Sequence, residues 1–288
     1  MNPAEGPHPA EGPHPAEGSR WVAVTDPDDP RIEAYRSVRE RDLVGRRGRF
    51  IVEGAVPLRV LLSRSRFPVG SVLVSENQLG ALAERLSALP PEVPVYVAGR
   101  AVMDAIVGFP IHRGILAVGM RPPDPDLAGV LAGLSEPALV VGLVGLANHD
   151  NVGGIFRNAA AFGADAVLLD AETCDPLYRK AIRVSAGAVL TVPWWRMADA
   201  EAMVETLRGA RFEILSLSPS GRTDLADLRA TARTAILLGA EGPGLPRALM
   251  DRTTSVSIPM SSGFDSLNVA TTSGIVLHHL RSRFGRPS

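Results

Sequence analysis

Residues 258–270 read Ile-Pro-Met-Ser-Ser-Gly-Phe-Asp-Ser-Leu-Asn-Val-Ala, and this stretch decides how the end of the chain folds. Residues 254–258 predict a short strand, and residues 266–284 predict a helix that Asp265 or Ser266 can cap. A loop between a strand and a helix presents backbone N–H and C=O groups beside a helix N-terminus. The stretch therefore predicts the floor of a pocket for a polar small molecule, with an ordinary capped junction as the alternative.

The stretch at 237–246 reads Leu-Leu-Gly-Ala-Glu-Gly-Pro-Gly-Leu-Pro and again predicts a strand that runs into a glycine-rich turn. Its spacing, Gly239-x-x-Gly242-x-Gly244, differs from the Gly-x-Gly-x-x-Gly of dinucleotide sites, so a nicotinamide-dependent enzyme is disfavoured. Few side chains are tolerated in such a tight loop at a strand end. The position of Glu241 there predicts that it faces a functional crevice.

Residues 148–163 read Asn-His-Asp-Asn-Val-Gly-Gly-Ile-Phe-Arg-Asn-Ala-Ala-Ala-Phe-Gly and follow an apolar run at 139–146 that predicts a central parallel strand. In the helix that begins here, Gly153 and Gly154 allow close backbone approach, and Arg157 lies on their side of the helix by its spacing.

Plainer interpretations of this helix are open: Asn151 as an N-cap and Arg157 as a surface charge. The pair His149 and Asp150 suggests a catalytic dyad, but the chain has no Gly-x-Ser-x-Gly elbow and adjacent residues seldom face each other. A hydrolase is therefore disfavoured.

Strands and helices alternate along most of the chain, which predicts an α/β protein of two domains. Residues 1–20 consist mainly of a repeat of Pro-Ala-Glu-Gly-Pro-His that cannot bury a core, and we expect them to be disordered. We predict a smaller domain at 21–120, a linker at 121–137 and a second domain at 138–288 with a mostly parallel sheet. Chemistry is expected at the carboxyl ends of its strands.

The composition, with 45% hydrophobic and 21% charged residues among 288, is typical of a soluble globular protein. Cys174 is the only cysteine, which excludes an intrachain disulfide and a cysteine-based zinc site and makes a reducing cytoplasm the expected compartment. The longest apolar run, 138–147, is much shorter than the roughly 20 residues of a membrane helix, so no membrane segment is predicted.

The region 31–66 contains ten arginines against four acidic residues, although the whole chain has a net charge of −1. Lys180 is the only lysine, so a general preference for arginine accounts for part of this enrichment. Arg46, Arg47 and Arg49 are the candidates in this region for contact with nucleic-acid phosphates.

Three segments closely resemble the three motifs of the SpoU/TrmH branch of the SPOUT RNA methyltransferases: 151–157, 239–245 and 258–268. Residues 180–187, Lys-Ala-Ile-Arg-Val-Ser-Ala-Gly, followed by Pro193, resemble the family's stretch between its first and second motifs. The resemblance covers about 139–283, and the chain departs from it where His149-Asp150 stands in place of a common Asp-Pro pair.

The N-terminal part resembles the ribosomal-protein-L30e-like substrate domain that many of these enzymes carry. The stretches that carry this resemblance are Arg-Phe-Ile-Val-Glu-Gly at 49–54 and Pro-Ile-His-Arg-Gly-Ile at 110–115. Arg113, which stands where the family commonly has glutamine, is a further candidate RNA contact. This departure leaves the RNA target open.

The resemblance implies a deep trefoil knot in the second domain, with the last helix threaded through the loop that holds the second and third motifs. It implies S-adenosylmethionine as the cofactor, held mainly by backbone groups and by apolar contact from Leu267, and it requires no metal. The residues implied to bind the cofactor are Leu238, Gly239, Ala240, Glu241, Gly242, Ile258, Met260, Ser266, Leu267 and Asn268.

The implied reaction is methyl transfer to a ribose 2′-hydroxyl, which requires alignment and removal of the hydroxyl proton. The family assigns Arg157 to activating that hydroxyl. It would act either as a base or, because a guanidinium is nearly always protonated, by orienting the ribose-phosphate and stabilising alkoxide charge. Asn151, Glu241, Ser266 and Asn268 are implied to position Arg157 and the nucleotide.

Ribosomal RNA is the first hypothesis for the substrate, because family members that act on tRNA often manage with short terminal extensions. A tRNA 2′-O-methyltransferase and a non-catalytic RNA-binding or ribosome-assembly factor are the alternatives. The intact Arg157, Glu241, Ser266 and Asn268 argue against the non-catalytic factor. The sequence does not name the methylated nucleotide.

The family also implies a homodimer in which the cofactor loops of one protomer face the motif-one arginine of the other. Ile275, Val276, Leu277 and Leu280 offer more apolar surface than one helix face needs, which is compatible with packing across a two-fold axis. The alternative is that these side chains pack inside one subunit.

Overall fold

The structure is a computed structural model that describes residues 20–36, 48–107, 114–229, 231–261 and 266–284. The predicted tail at 1–20, apart from Arg20, lies outside these ranges. So do Asp265 and three of the candidate RNA contacts, Arg46, Arg47 and Arg113.

The N-terminal unit is a mixed sheet with helices on it. Its elements are β1 (Trp21–Val24), a 3-10 helix (Pro30–Tyr35), β2 (Arg49–Glu53), α1 (Ala55–Arg64), β3 (Val69–Ser75), α2 (Glu76–Ser87), β4 (Val95–Ala98), α3 (Arg100–Val107) and β5 (Ile115–Met120). The five strands have the order β1-β4-β3-β5-β2, in which β5 is antiparallel to both of its neighbours and the other pairs are parallel. The smaller α/β unit predicted from the alternation of strands and helices is present.

The second unit is built on a fully parallel seven-stranded sheet. Its elements, with one helix that precedes the sheet, are α4 (Leu127–Ala132), β6 (Ala138–Val144), α5 (His149–Ala161), β7 (Ala166–Leu169), α6 (Arg179–Val184), β8 (Trp194–Arg196), α7 (Ala200–Gly209), β9 (Glu213–Leu217), β10 (Thr223–Asp224), β11 (Arg233–Gly239), α8 (Arg247–Met250), β12 (Thr254–Ser257) and α9 (Val269–Phe284).

The strand order in this sheet is β10-β12-β9-β11-β6-β7-β8. Every residue of β6 is buried, as its continuous apolar run predicts for a central parallel strand. Because β12, β9 and β11 are neighbours and parallel, their carboxyl ends meet at one edge of the sheet, which is where such sheets bind ligands. The trefoil knot stays a prediction, since strand order alone does not define how the chain threads.

The last helix, α9, lies beside α5 and runs parallel to it. A Cβ on Gly154 would lie 2.8 Å from the Cβ of Ala270, and Asn158 Nδ2 donates to the backbone oxygen of Ala270 at 2.7 Å. One end of α5 is bound by Arg281, whose Nε donates to the backbone oxygen of Phe162 at 2.7 Å. This contact brings a cation to the negative end of the α5 dipole.

The other glycine of α5 serves a second helix contact. A Cβ on Gly153 would lie 2.8 Å from the backbone oxygen of Ala181 in α6. The close backbone approach predicted at Gly153 and Gly154 is therefore the approach of two neighbouring helices, one on each side of α5.

The two units share one continuous apolar cluster that contains Phe50 and Val52 from the first sheet as well as Leu139 and Val141 from the second. At the junction the Phe67 ring lies 6.4 Å from the Trp194 ring, measured between centroids.

Cations and backbone groups add to this junction. The guanidinium of Arg66 lies over both Trp194 and Trp195, and that of Arg121 lies 4.6 Å from the Trp194 ring centroid. The backbone N–H of Arg66 donates to the oxygen of Leu190 at 2.9 Å. The first unit is therefore packed against the second and is not merely tethered to it.

The predicted linker at 121–137 is part of this packing. It contains the short helix α4, in which Leu131 is fully buried, and the Trp195 indole N–H donates to the backbone oxygen of Pro125 at 2.9 Å. None of the helices in the described ranges is long and apolar enough to cross a membrane.

Candidate active site

A pocket of about 590 Å³ lies at the carboxyl ends of β9, β11 and β12. Its volume is within the range of small-molecule sites, about 300–1,000 Å³. The structure brings all the predicted cofactor-binding residues to this one pocket: Leu238, Gly239, Ala240, Glu241, Gly242, Ile258, Met260, Ser266, Leu267 and Asn268.

The loop after β11 folds back on itself and forms one wall of the pocket. Gly244 N–H donates to the oxygen of Ala240 at 3.0 Å. A Cβ on Gly239 would lie 2.5 Å from the backbone of Gly244 and Leu245, so only glycine fits there. Gly242 has a φ of 87°, which a residue with a side chain adopts only with strain. These constraints leave Glu241 exposed at the tip of the loop.

Asn268 joins the loop before α9 to two segments that are far away in the sequence: the start of α5 and the loop after β11. Its Nδ2 donates to Asn151 Oδ1 at 2.9 Å and to Glu241 Oε1 at 3.2 Å. Its Oδ1 accepts from the N–H groups of Ala270 and Thr271 at 2.9 and 3.2 Å, which is the geometry of a helix N-cap. The helix therefore begins at Val269 with Asn268 as its cap, and the prediction that Ser266 caps it is wrong.

Asn151 is 5% exposed and is the third residue of α5, in its first turn. The cap of that helix is Asn148, whose side chain accepts from the N–H of Asp150 at 2.9 Å. The interpretation of Asn151 as an N-cap is therefore wrong. Its buried side-chain oxygen is instead the acceptor that holds Asn268 in place.

Two residues directly before Asn268 are open to solvent at the pocket. Leu267 is 41% exposed, and Ser266 is exposed beside it. An apolar side chain held at the mouth of a pocket is suited to covering the flat face of a bound ring.

Arg157 does not line this pocket. It is exposed on α5 and faces a separate groove of about 410 Å³ whose lining includes Ala160, Pro193 and Arg64 of α1. Within the described residues its guanidinium has no hydrogen bond or ion pair. Within a single chain, therefore, the predicted cofactor-binding residues and the predicted catalytic arginine line different cavities.

The apolar residues of α9 are mostly used inside the chain. Val276, Leu277 and Leu280 are fully buried, and only Ile275, at 39%, is exposed. The argument that all four side chains form a surface for a second subunit is therefore wrong for three of them, because α5 and the sheet already cover them.

Of the candidate RNA contacts only Arg49 lies in the described residues. It is exposed at the start of β2, the edge strand of the first sheet. An exposed guanidinium on an edge strand is open to a phosphate, but it lies in neither cavity.

Sequence reasoning missed part of the pocket. The residues missed are Leu217, which ends β9, Ser218 and Pro219 directly after it, Val256 of β12 and Thr272 of α9. The expectation that chemistry lies at the carboxyl ends of the strands was the signal that could have found the three residues at the end of β9.

The single cysteine is not suited to nucleophilic chemistry. Burial, with a smaller effect from the charge of Asp175, raises the pKa of Cys174 to about 11, so the thiol is protonated near neutral pH. No group of three or more His, Cys, Asp or Glu side chains among the described residues is arranged to hold a metal ion.

The chain is similar to known proteins in sequence and in fold. Residues 138–278 match the model of the SpoU rRNA Methylase family. A relative described as an uncharacterized tRNA/rRNA methyltransferase of Mycobacterium bovis is 39% identical over 271 residues, which cover 91% of this chain and 92% of the relative.

Two solved structures have the same fold. An AdoMet-bound rRNA methyltransferase from Sinorhizobium meliloti superposes with a TM-score of 0.76 at 22% identity and covers 92% of this chain and 98% of its own. The SpoU methyltransferase AviRb from Streptomyces viridochromogenes, in complex with AdoMet, has a TM-score of 0.75 at 23% identity and covers 87% and 96%.

Proposed function

This chain belongs to the SpoU family of RNA methyltransferases, and we propose that it transfers a methyl group from S-adenosylmethionine to a ribose 2′-hydroxyl of ribosomal RNA. The observation that carries the proposal is the junction at Asn268. One side chain ties the loop after β11, the loop before α9 and the start of α5 into a single pocket wall. These are the three segments on which the family resemblance depends.

The pocket fits S-adenosylmethionine on its own chemistry. Its walls are mainly backbone, glycine and apolar side chains, and a Cβ at Gly239 would fill part of the loop that forms it. The polar side chains in the lining are Ser218, Glu241, Ser266, Asn268 and Thr272. Leu238, Gly239, Ile258 and Met260 would hold the adenine through backbone groups, and Leu267 would cover it. The sulfonium of the cofactor supplies an electrophilic methyl group.

Arg157 is the group proposed to act on the ribose. An exposed guanidinium that has no partner among the described residues can bind the ribose-phosphate and stabilise negative charge that develops on the 2′-oxygen. A literal base is the second possibility, and it would require loss of the guanidinium proton. The geometry of the cofactor pocket is fixed by Asn151, Glu241, Ser266 and Asn268.

The separation of Arg157 from the pocket supports a homodimer. If one chain supplies the pocket, a second copy must bring its own Arg157 to the ribose. Among the side chains of α9 whose burial the structure describes, Ile275 is the exposed large apolar residue available for such a contact. In this arrangement neither subunit alone contains a complete active site.

Ribosomal RNA is preferred as substrate because a whole additional unit, residues 21–120, is packed against the methyltransferase unit. Arg46, Arg47, Arg49 and Arg113 are its proposed RNA contacts, acting on phosphates in the cytoplasm. A tRNA substrate is the alternative, and the M. bovis relative is described as a tRNA/rRNA methyltransferase.

The test is to map the product. RNA from a strain that lacks this gene is incubated with the protein and methyl-labelled S-adenosylmethionine, digested to nucleosides and analysed by mass spectrometry. Label on the ribose of rRNA nucleosides is expected. Label on a base would overturn the 2′-O assignment, and label only in the tRNA fraction would select the alternative substrate. Absence of cofactor binding by calorimetry would indicate a non-catalytic RNA-binding protein.

A further inference from the structure

The groove that contains Arg157 also contains an arginine from the other unit. Arg64, the last residue of α1, lines the same cavity of about 410 Å³. Both arginines are exposed, and no acidic side chain among the described residues lines the groove with them. The remaining lining is made of small or uncharged residues such as Ala186, Thr191 and Pro193.

Among the described residues, two other cations near the groove have acidic partners, unlike Arg64 and Arg157. Arg183, two residues before the groove residue Ser185, lies 3.8 Å from Glu53, and Lys180 lies 2.7 Å from Asp150. Within the described part of the chain, Arg64 and Arg157 have neither a hydrogen bond nor an ion pair. Two like charges that face one cavity without a counter-charge form a site for an anion.

The position of Arg64 is set by packing and not by chance exposure. Val60, one turn earlier on α1, packs against Gly187, which lies between the groove residues Ala186 and Ala188: a Cβ on Gly187 would lie 3.0 Å from the Cβ of Val60. Two residues after Arg64, the N–H of Arg66 donates to the oxygen of Leu190 at 2.9 Å. Contacts on both sides thus hold the end of α1 over the groove.

The face of α5 that lines the groove is equally defined. Arg157, Ala160 and the nearby Ala164 all line it, and the spacing of the first two places them on one side of the helix. The alanines add no charge and little bulk to the lining of the groove. The volume is sufficient for a nucleotide unit of a polymer.

We propose that Arg64 and Arg157 together bind one phosphate of the RNA backbone in this groove, so that α1 of the N-terminal unit positions the substrate at the active site. Guanidinium groups bind phosphate through paired charge-assisted hydrogen bonds, which two arginines on different units can provide from two directions. The proposal rests on the proposed function only in taking RNA as the polyanion. Arg64 is a positioning residue, since it acts on the phosphate and not on the reacting atoms.

The test compares Arg64→Gln with Arg59→Gln, a matched variant on the same helix. Arg59 is also exposed but lines a different, smaller cavity of about 110 Å³. Binding of a mixed-sequence 12-nucleotide single-stranded RNA is measured by fluorescence anisotropy at several salt concentrations, with no turnover. Arg64→Gln is expected to weaken binding about tenfold and to reduce the salt slope by about 0.7, the value for one phosphate on a single strand. Arg59→Gln is expected to change neither quantity.

Equal affinity and equal salt slope in Arg64→Gln and wild type would overturn the proposal. Affinity for S-adenosylmethionine, measured by calorimetry, should be the same in all three proteins, which separates loss of the groove from misfolding. Because no methyl transfer is measured, the result stands whichever atom of the RNA is methylated, and product mapping tests that separately.

Kinetics on the RNA substrate give a second readout. Arg64→Gln should raise KM for RNA by about tenfold with a smaller change in kcat, as expected for lost ground-state binding. A titration with inorganic phosphate separates the two sources of the anion. Tight binding of free phosphate that depends on Arg64, with RNA affinity unchanged in the variant, would assign the groove to a small anion and overturn the proposal.

Discussion

At the scale of single residues, Asn268 joins three segments of the site through its one amide group. Its Oδ1 accepts hydrogen bonds from two backbone N–H groups at the start of α9, and its Nδ2 donates to Asn151 and Glu241. The first role stabilises the fold, and the second shapes the pocket. The two roles use different atoms of one amide, so substitutions can separate them.

Replacing Asn268 by serine should keep the cap but remove the amide donor, whereas alanine removes both. The free energy of unfolding should therefore be about 1 kcal/mol lower in Asn268→Ala than in Asn268→Ser. Both variants should bind S-adenosylmethionine about tenfold more weakly, because the oxygen of Asn151 loses its donor and the loop is released. Urea denaturation and calorimetry measure the two effects. Equal stability of the two variants would contradict the capping role.

At the scale of elements, α5 is held between α6 and α9 by its two glycines. Glycine inside a helix normally costs about 0.5–1 kcal/mol relative to alanine, so a helix with two of them needs a compensating contact. The contacts are the backbone oxygen of Ala181 near Gly153 and the methyl of Ala270 near Gly154. Close packing here brings Asn151 within reach of Asn268.

Gly153→Ala should destabilise the protein by about 1–3 kcal/mol, because the added methyl would lie 2.8 Å from backbone that cannot rotate away. Gly80→Ala is the matched control, since Gly80 lies inside α2 with nothing within 4 Å of the added Cβ. That substitution should stabilise the protein by about 0.5–1 kcal/mol. Changes of the same sign in the two variants, measured by chemical denaturation, would contradict this account of the helix contacts.

Sequence patterns predicted the long elements and missed the short ones for a physical reason. The run that forms β6 and the glycine turn after β11 carry their signal locally, whereas Trp194–Arg196 and Thr223–Asp224 are too short to show any period. Ser266 and Asn268 are equally good caps, and the presence of Asn151 across the loop decides between them. That Val276 is buried and Ile275 is not depends on where α5 lies, which no local pattern contains.

At the scale of the whole molecule, the shared apolar cluster and the stacked cations make the two units one body. Native-state hydrogen exchange should therefore give core amides of β3 and of β11 the same opening free energy, that of global unfolding. The second half of β3 and the middle of β11 are buried and belong to different sheets, so their amides report the two units separately. Amides of β3 that open several kcal/mol more easily than those of β11 would show that the units unfold independently.

The claim that the pocket of one subunit and Arg157 of another form one site for 2′-O-methyl transfer is tested by mixing two inactive variants. Arg157→Ala should bind S-adenosylmethionine but lose about 10²–10³ in rate, the usual loss for one stabilising group, and Asn268→Ala should be impaired in the pocket. After verified subunit exchange, each heterodimer contains one intact site. The rate of 2′-O-methyl formation should then rise toward half of the wild-type value per heterodimer, whereas mixtures that stay as inactive as the separate variants would contradict a shared site.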